Sequence, residues 1–250
     1  TIEGKDYSLN DITNITTAQT TVENNTVQVI YNGNTAAVTV SGNIAQYLTV
    51  NVSGATVSIV QSEALQQEVT YTLTGTSTNG SFMMDGSYKA IFVLNNLTLT
   101  SASGPAIDIE DGKAIHVTLT GTNTLCDAAG GTHNATLYIN GHATFNGTGS
   151  LILSGLSKHA FSSDEKVVIK GGTINVKQAA SDGFHINERF QMDGGQLTIN
   201  ATSDGIDVGF RGVNKGTKDS YERNGFMELN GGTVSVMTTG SATKALKADS

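Results

Sequence analysis

Gly171-Gly172-Thr173-Ile174-Asn175-Val176 decides the fold, because the pattern returns. It recurs 23 residues on as Gly194-Gly195-Gln196-Leu197-Thr198-Ile199, and 37 residues further as Gly231-Gly232-Thr233-Val234-Ser235-Val236. The second gap is one period of 23 plus 14 extra residues. A weaker copy, Gly149-Ser150-Leu151-Ile152-Leu153, lies about one period earlier. Self-similarity at a period of 20–50 residues marks a solenoid, propeller or array. Each period carries three short runs in which apolar residues alternate. One precedes the glycine pair (Val167 and Ile169; Phe190 and Met192; Met227 and Leu229) and one follows it (Ile174 and Val176; Leu197 and Ile199; Val234 and Val236). A third lies beyond (Phe161; Phe184 and Ile186; Ile206 and Val208; Leu246 and Ala248). Apolar residues two apart put one strand face inward. Three strands in about 23 residues leave no room for an ordinary helix, and the fixed Leu and Asn pattern of a leucine-rich repeat is missing. A propeller blade needs about 40 residues. The expectation is therefore an all-β, right-handed parallel β-helix, with the glycine pair at a tight corner that needs positive φ or tolerates no side chain.

Composition agrees. The 250 residues include 29 Gly, 34 Thr and 21 Asn but one Pro, one Cys and no Trp, and 14% are charged. Helix formers are too scarce for a bundle, and no apolar run approaches the roughly 20 residues of a membrane helix. Cys126 alone makes neither a disulfide nor a cysteine zinc site. The net charge of −8 sits in residues 1–130, which hold three basic and eleven acidic residues. An acidic half with no basic block argues against nucleic acid as partner. The same composition, with no signal peptide in the chain, suits a mature extracellular, cell-surface or periplasmic bacterial protein. Residues 1–70 are strand-rich without a clean period and read as irregular first coils or an N-terminal β cap. Residues 71–250 read as the solenoid.

Equivalent residues of successive coils lie one strand spacing, about 4.8 Å, apart. With Phe161, Phe184, Ile206 and Leu246 aligned inward, one outward row holds His159, Asp182, Asp204 and Lys244. A second holds Ser162, His185, Asp207 and Lys247, and a third Asp164, Asn187, Gly209 and Asp249. Stacked carboxylates repel, and a hard cation that takes six to eight oxygens relieves this. Asp182, Asp204, Asp207, Asn187 and Asp164 are therefore the candidate calcium ligands. The extra residues carry Arg211, Lys215, Lys218, Tyr221 and Arg223 beside this column, which together with His185 suit an anionic sugar. The five histidines show no close metal spacing.

The ordered series Gly104-Pro105-Ala106-Ile107-Asp108-Ile109, Val117-Thr118-Leu119-Thr120-Gly121-Thr122-Asn123, Lys166-Val167-Val168-Ile169-Lys170-Gly171-Gly172, Asp182-Gly183-Phe184-His185 and Ser203-Asp204-Gly205-Ile206-Asp207 resembles a bacterial family of carbohydrate-binding parallel β-helices. That family is related in fold to pectate lyases. The resemblance spans roughly residues 70–250. It implies bound calcium and binding of cellulose and acidic polysaccharide, with Asp182, Asp204 and Asp207 on the metal and His185 beside them. Phe184 stands where that family has Ile. Three readings follow: a calcium-dependent, non-catalytic binding module; a lyase with Lys244 or Lys247 as the proton-abstracting base; or a surface adhesin or rigid spacer.

Overall fold

The computed structural model describes residues 24–209 and 225–249. Among them the chain forms β-strands and one short 3-10 turn at Ala45–Tyr47. Eight strands open the fold: β1 (Thr26–Asn32), β2 (Thr35–Val40), β3 (Leu48–Ser53), β4 (Thr56–Gln61), β5 (Val69–Ser77), β6 (Ser81–Asp85), β7 (Ala90–Thr100) and β8 (Ile107–Ile109). Three-strand coils then follow. They are β9 (Ile115–Thr120), β10 (Thr122–Cys126), β11 (Ala135–Ile139); β12 (Ala143–Gly147), β13 (Ser150–Gly155), β14 (His159–Ser163); β15 (Lys166–Ile169), β16 (Thr173–Ala179), β17 (Phe184–Ile186); β18 (Arg189–Met192), β19 (Gln196–Ala201), β20 (Ile206–Val208); and β21 (Phe226–Leu229), β22 (Thr233–Thr238), β23 (Leu246–Ala248).

Every pairing from β5 onward is parallel, and equivalent strands stack into columns. The first column runs β9-β12-β15-β18-β21 and the second β10-β13-β16-β19-β22; the third, β6-β8-β11-β14-β17-β20-β23, forms a separate sheet. The protein is a parallel β-solenoid. The aligned positions Ala90, Ile115, Ala143, Val167, Phe190 and Met227 are separated by 25, 28, 24, 23 and 37 residues. The 23-residue spacing is thus one coil length among several.

The glycine pairs sit at the corner between the first two columns. Gly172, Gly195 and Gly232 have φ of 84°, 80° and 85°. A Cβ on Gly195 would lie 2.6 Å from the Gly172 carbonyl oxygen, closer than real side chains approach. In the early part β5 and β7 carry the chain past this corner as single strands of 9 and 11 residues, with a bulge at Gly75 of β5, whereas β9 and β10, and β12 and β13, are divided there at Gly121 and Gly147 without a glycine pair. In the earliest part, β1–β2 and β3–β4 are antiparallel hairpins, yet β1 pairs in parallel with β5 and β4 with β6, so both sheets continue into them.

The core is a set of vertical ladders. Phe82, Ile107, Leu137, Phe161, Phe184 and Ile206 lie in register and are buried. Phe161 and Phe184 are 4.8 Å apart between ring centres. Burying each such side chain stabilises the fold by about 1.5–3 kcal/mol, and β-branched and aromatic residues suit the pleat. In the top coil two ladder positions, Leu229 above Met192 and Leu246 above Ile206, are exposed.

Candidate functional site

The third column carries the chemistry because its strands are short and its corners are built from Asp-Gly. Gly183 and Gly205 precede inward Phe184 and Ile206. A Cβ on Gly183 would lie 2.3 Å from the Ile199 methyl Cγ2, and one on Gly205 2.3 Å from Val236 Cγ1. Only glycine lets the chain cross there. The aspartate before each glycine then closes the corner of the next coil. Asp182 Oδ1 accepts the Asp204 N–H at 2.9 Å, and Asp204 Oδ1 accepts the Lys244 N–H at 2.8 Å. A carboxylate accepting a backbone N–H is a strong, charge-assisted bond.

The pairing brings the expected rows together: Ser162, His185, Asp207 and Lys247 are in register. His185 Nδ1 is 3.4 Å from Asp182 Oδ2 and 3.4 Å from Asp207 Oδ2. His159, stacked on His185 at 4.5 Å, places Nδ1 3.2 Å from Asp182 Oδ2. Burial raises the Asp182 pKa, but the two imidazoles and the Asp204 N–H outweigh it and hold the carboxyl well below the usual range. Burial pushes His159 down, so its imidazole is neutral near pH 7. Lys247 Nζ lies 2.8 Å from Asp207 Oδ1 and 3.9 Å from Asp204 Oδ2. Its bond to Asp207 raises its pKa.

The remaining predicted residues divide. Asp164 accepts from Tyr138 Oη at 3.1 Å and from Asn187 Nδ2 at 3.1 Å. Asn187 Oδ1, the Ile186 carbonyl oxygen and Asp249 Oδ2 border the space that a side chain at 209 would fill, 3.6, 3.8 and 4.0 Å from a Cβ on Gly209. All three are oxygens, the donor type that calcium takes. Lys244 is exposed and contributes its backbone N–H to Asp204. Arg211, Lys215, Lys218, Tyr221 and Arg223 lie outside the described residues.

Sequence reading missed a second cluster lower on the same face. Asp108, in register with Tyr138, lines a cavity of about 250 Å³ with Pro105, Glu110, His133, Asn134 and Tyr138. Burial and the neighbouring Glu110 push Asp108 up to about 6, and its Oδ1 is buried without a hydrogen-bond partner. His133 also borders a larger cavity of about 390 Å³ under the 128–133 loop. Its Nε2 is 2.6 Å from Oδ2 of the fully buried Asp127, which also accepts the Leu156 N–H at 2.6 Å. Extending the outward row below Ser162 to Tyr138 and Asp108 would have found it.

A family model described as carbohydrate-binding domain-containing protein matches residues 53–250. Among solved structures, a polysaccharide lyase-like protein from C. thermocellum, in a gadolinium derivative, superposes with a TM-score of 0.67 at 20% identity. The match covers 89% of this chain and 94% of that one, which is a likeness of fold. No curated protein matches the chain.

Proposed function

Since this chain belongs to the family of carbohydrate-binding domain-containing proteins, we propose that it binds an acidic polysaccharide, non-catalytically and with calcium, along the outward face of the third column. The observation that carries this reading is the set of oxygens at Gly209, from Asn187, Ile186 and Asp249, at the end of the strand that carries Asp207. Asn187, Asp207, Asp204 and Asp249 would hold the ion, with Asp182 and Asp164 shaping the column behind it. Bound calcium supplies a positive charge that a uronate carboxylate can share. His185, in the next row, offers a ring edge to the sugar hydroxyls. An extracellular or cell-surface setting, where such glycans occur, suits this role.

The same geometry disfavours Lys247 as the base of a lyase. A base must be unprotonated to abstract a proton, whereas Asp207 holds Lys247 as an ammonium. The test is calorimetric calcium titration of the wild type and Asp204→Asn, then retention on immobilised polygalacturonate with calcium or chelator. We expect calcium-dependent retention and calcium binding weakened about tenfold by the substitution, the usual scale for losing a metal partner. Equal retention in calcium and in chelator would sink the reading. Accumulation of ultraviolet-absorbing unsaturated product would replace it with the lyase.

A further inference from the structure

We propose that His159, Asp182 and His185 form a second cation site, selective for a borderline divalent ion such as zinc and distinct from the calcium cradle at Gly209. One ring nitrogen of each histidine and one carboxylate oxygen of Asp182, from adjacent coils, lie within 4.8 Å of one another. The contacts to Asp182 Oδ2 are 3.2 Å from His159 and 3.4 Å from His185. Tetrahedral zinc with bonds of 2.0–2.1 Å sets its ligand atoms about 3.3 Å apart. The donors therefore already stand close to the spacing such an ion imposes.

Their hydrogen bonding is incomplete in the way an ion would complete. His185 Nδ1 is sealed from solvent and has no hydrogen-bond partner, although two carboxylate oxygens flank it at 3.4 Å. The Asp182 N–H donates to His159 Nδ1 at 3.3 Å. The same nitrogen also lies 3.2 Å from Asp182 Oδ2. Unsatisfied buried polar atoms are costly, and a cation between them removes the cost. Donor type then selects the ion: imidazole suits zinc and its neighbours, while calcium takes oxygen. The Asp204 N–H, 2.9 Å from Asp182 Oδ1, fixes the carboxylate from behind, the kind of outer contact that orients metal ligands. The His185 side chain is 30% exposed, which provides an entry path.

The test uses the full chain after chelator treatment, with zinc followed by calorimetry and cobalt(II) by visible absorption. Variants are His159→Gln, His185→Gln, Asp204→Asn and, as a control at the separate His142–Glu165–Glu188 cluster, His142→Gln. We expect one zinc per chain, an intense tetrahedral cobalt spectrum, and at least about tenfold weaker zinc binding in either site variant. His142→Gln should leave zinc affinity unchanged, and excess calcium should not displace the ion. Circular dichroism checks folding. If His159→Gln fails to fold, the more exposed His185→Gln and the wild-type cobalt spectrum decide the question. Absence of zinc heat and cobalt absorption in the wild type overturns the proposal, as does loss of binding in His142→Gln alone or displacement by calcium. Asp204→Asn separates the two sites, because it weakens calcium while sparing zinc.

Discussion

Two carboxylate clusters share one face of the solenoid and behave oppositely. At Asp182 the carboxyl is held below its ordinary pKa; at Asp108, lower on the same sheet, it is pushed up to about 6. Asp182 is buried and Asp108 half-buried, and burial raises both. The difference lies in the neighbours. Asp182 faces two imidazoles and a backbone N–H, whereas Asp108 faces Glu110, and its Oδ1 finds no donor. A β-solenoid repeats its backbone, so the electrostatics of a coil are set by what each outward position presents to the coils above and below. The upper cluster is a bonded ladder. The lower one is a strained acidic pair beside a cavity.

Removing the centre of the ladder should have the largest effect. Asp182→Ala deletes the acceptor for the Asp204 N–H, strips His159 of its carboxylate and leaves His185 with Asp207 alone. Breaking a buried, hydrogen-bonded charge cluster costs on the order of 3 kcal/mol. Urea unfolding at pH 7 should show this loss, and Asp182→Asn should recover part of it, because an amide oxygen still accepts the N–H. A loss below about 1 kcal/mol would mean that the ladder is surface decoration. The pH dependence has a fixed sign. A depressed carboxyl pKa gives stability that is present above the ordinary value of 3.8 and lost as pH falls through the lower folded value. His159, whose pKa is lowered, also costs stability on acidification below 6.5, since the unfolded chain then binds the extra proton.

The ladder was legible in the sequence because inward Phe161, Phe184, Ile206 and Leu246 fix the register, and register fixes which side chains stack. The solenoid and its glycine corners followed from the same periodicity. The His159–His185 pair was not legible as a donor pair. The two residues are 26 apart in the chain, and local metal spacing is the wrong measure where coils bring distant residues one strand apart. The early coils escaped because β5 and β7 run through the corner that the glycine pair marks elsewhere, and because the aligned positions there lie 25 and 28 residues apart. The Asp108 cluster was not legible because the inward register from Phe161 to Leu246 stops one coil short of Tyr138 and two short of Asp108.

Relieving the lower cluster should have the opposite sign and a smaller size. With a folded pKa near 6 against an ordinary 3.8, the folded chain binds more protons between those values. Stability therefore falls as pH rises through that window, and the penalty is full above it. Two units correspond to about 3 kcal/mol, which partial exposure and solvent screening reduce to roughly 1–2. Asp108→Asn should accordingly stabilise the protein at pH 8 by that amount and by much less at pH 4. Paired unfolding curves at the two pH values check it. A stabilisation independent of pH would show that the carboxyl's charge is not the cause.

The smallest effect is expected at the top of the upper cluster, where Lys247 caps Asp204 and Asp207. Its side chain is 36% exposed, so Lys247→Met should change stability by no more than about 1 kcal/mol. What it does contribute is present below pH 10.5, the ordinary lysine value, and lost as pH rises through the higher folded one. The informative readout is the metal. An ammonium and a calcium ion compete for the same two carboxylates, so removing the ammonium should tighten calcium binding even as it slightly loosens the fold. Affinity and stability moving in opposite directions would identify Lys247 as the built-in counter-ion that calcium displaces. If both weaken together, Lys247 helps to hold the ion's surroundings, and the calcium ligands must be sought at Asn187 and Asp249 alone.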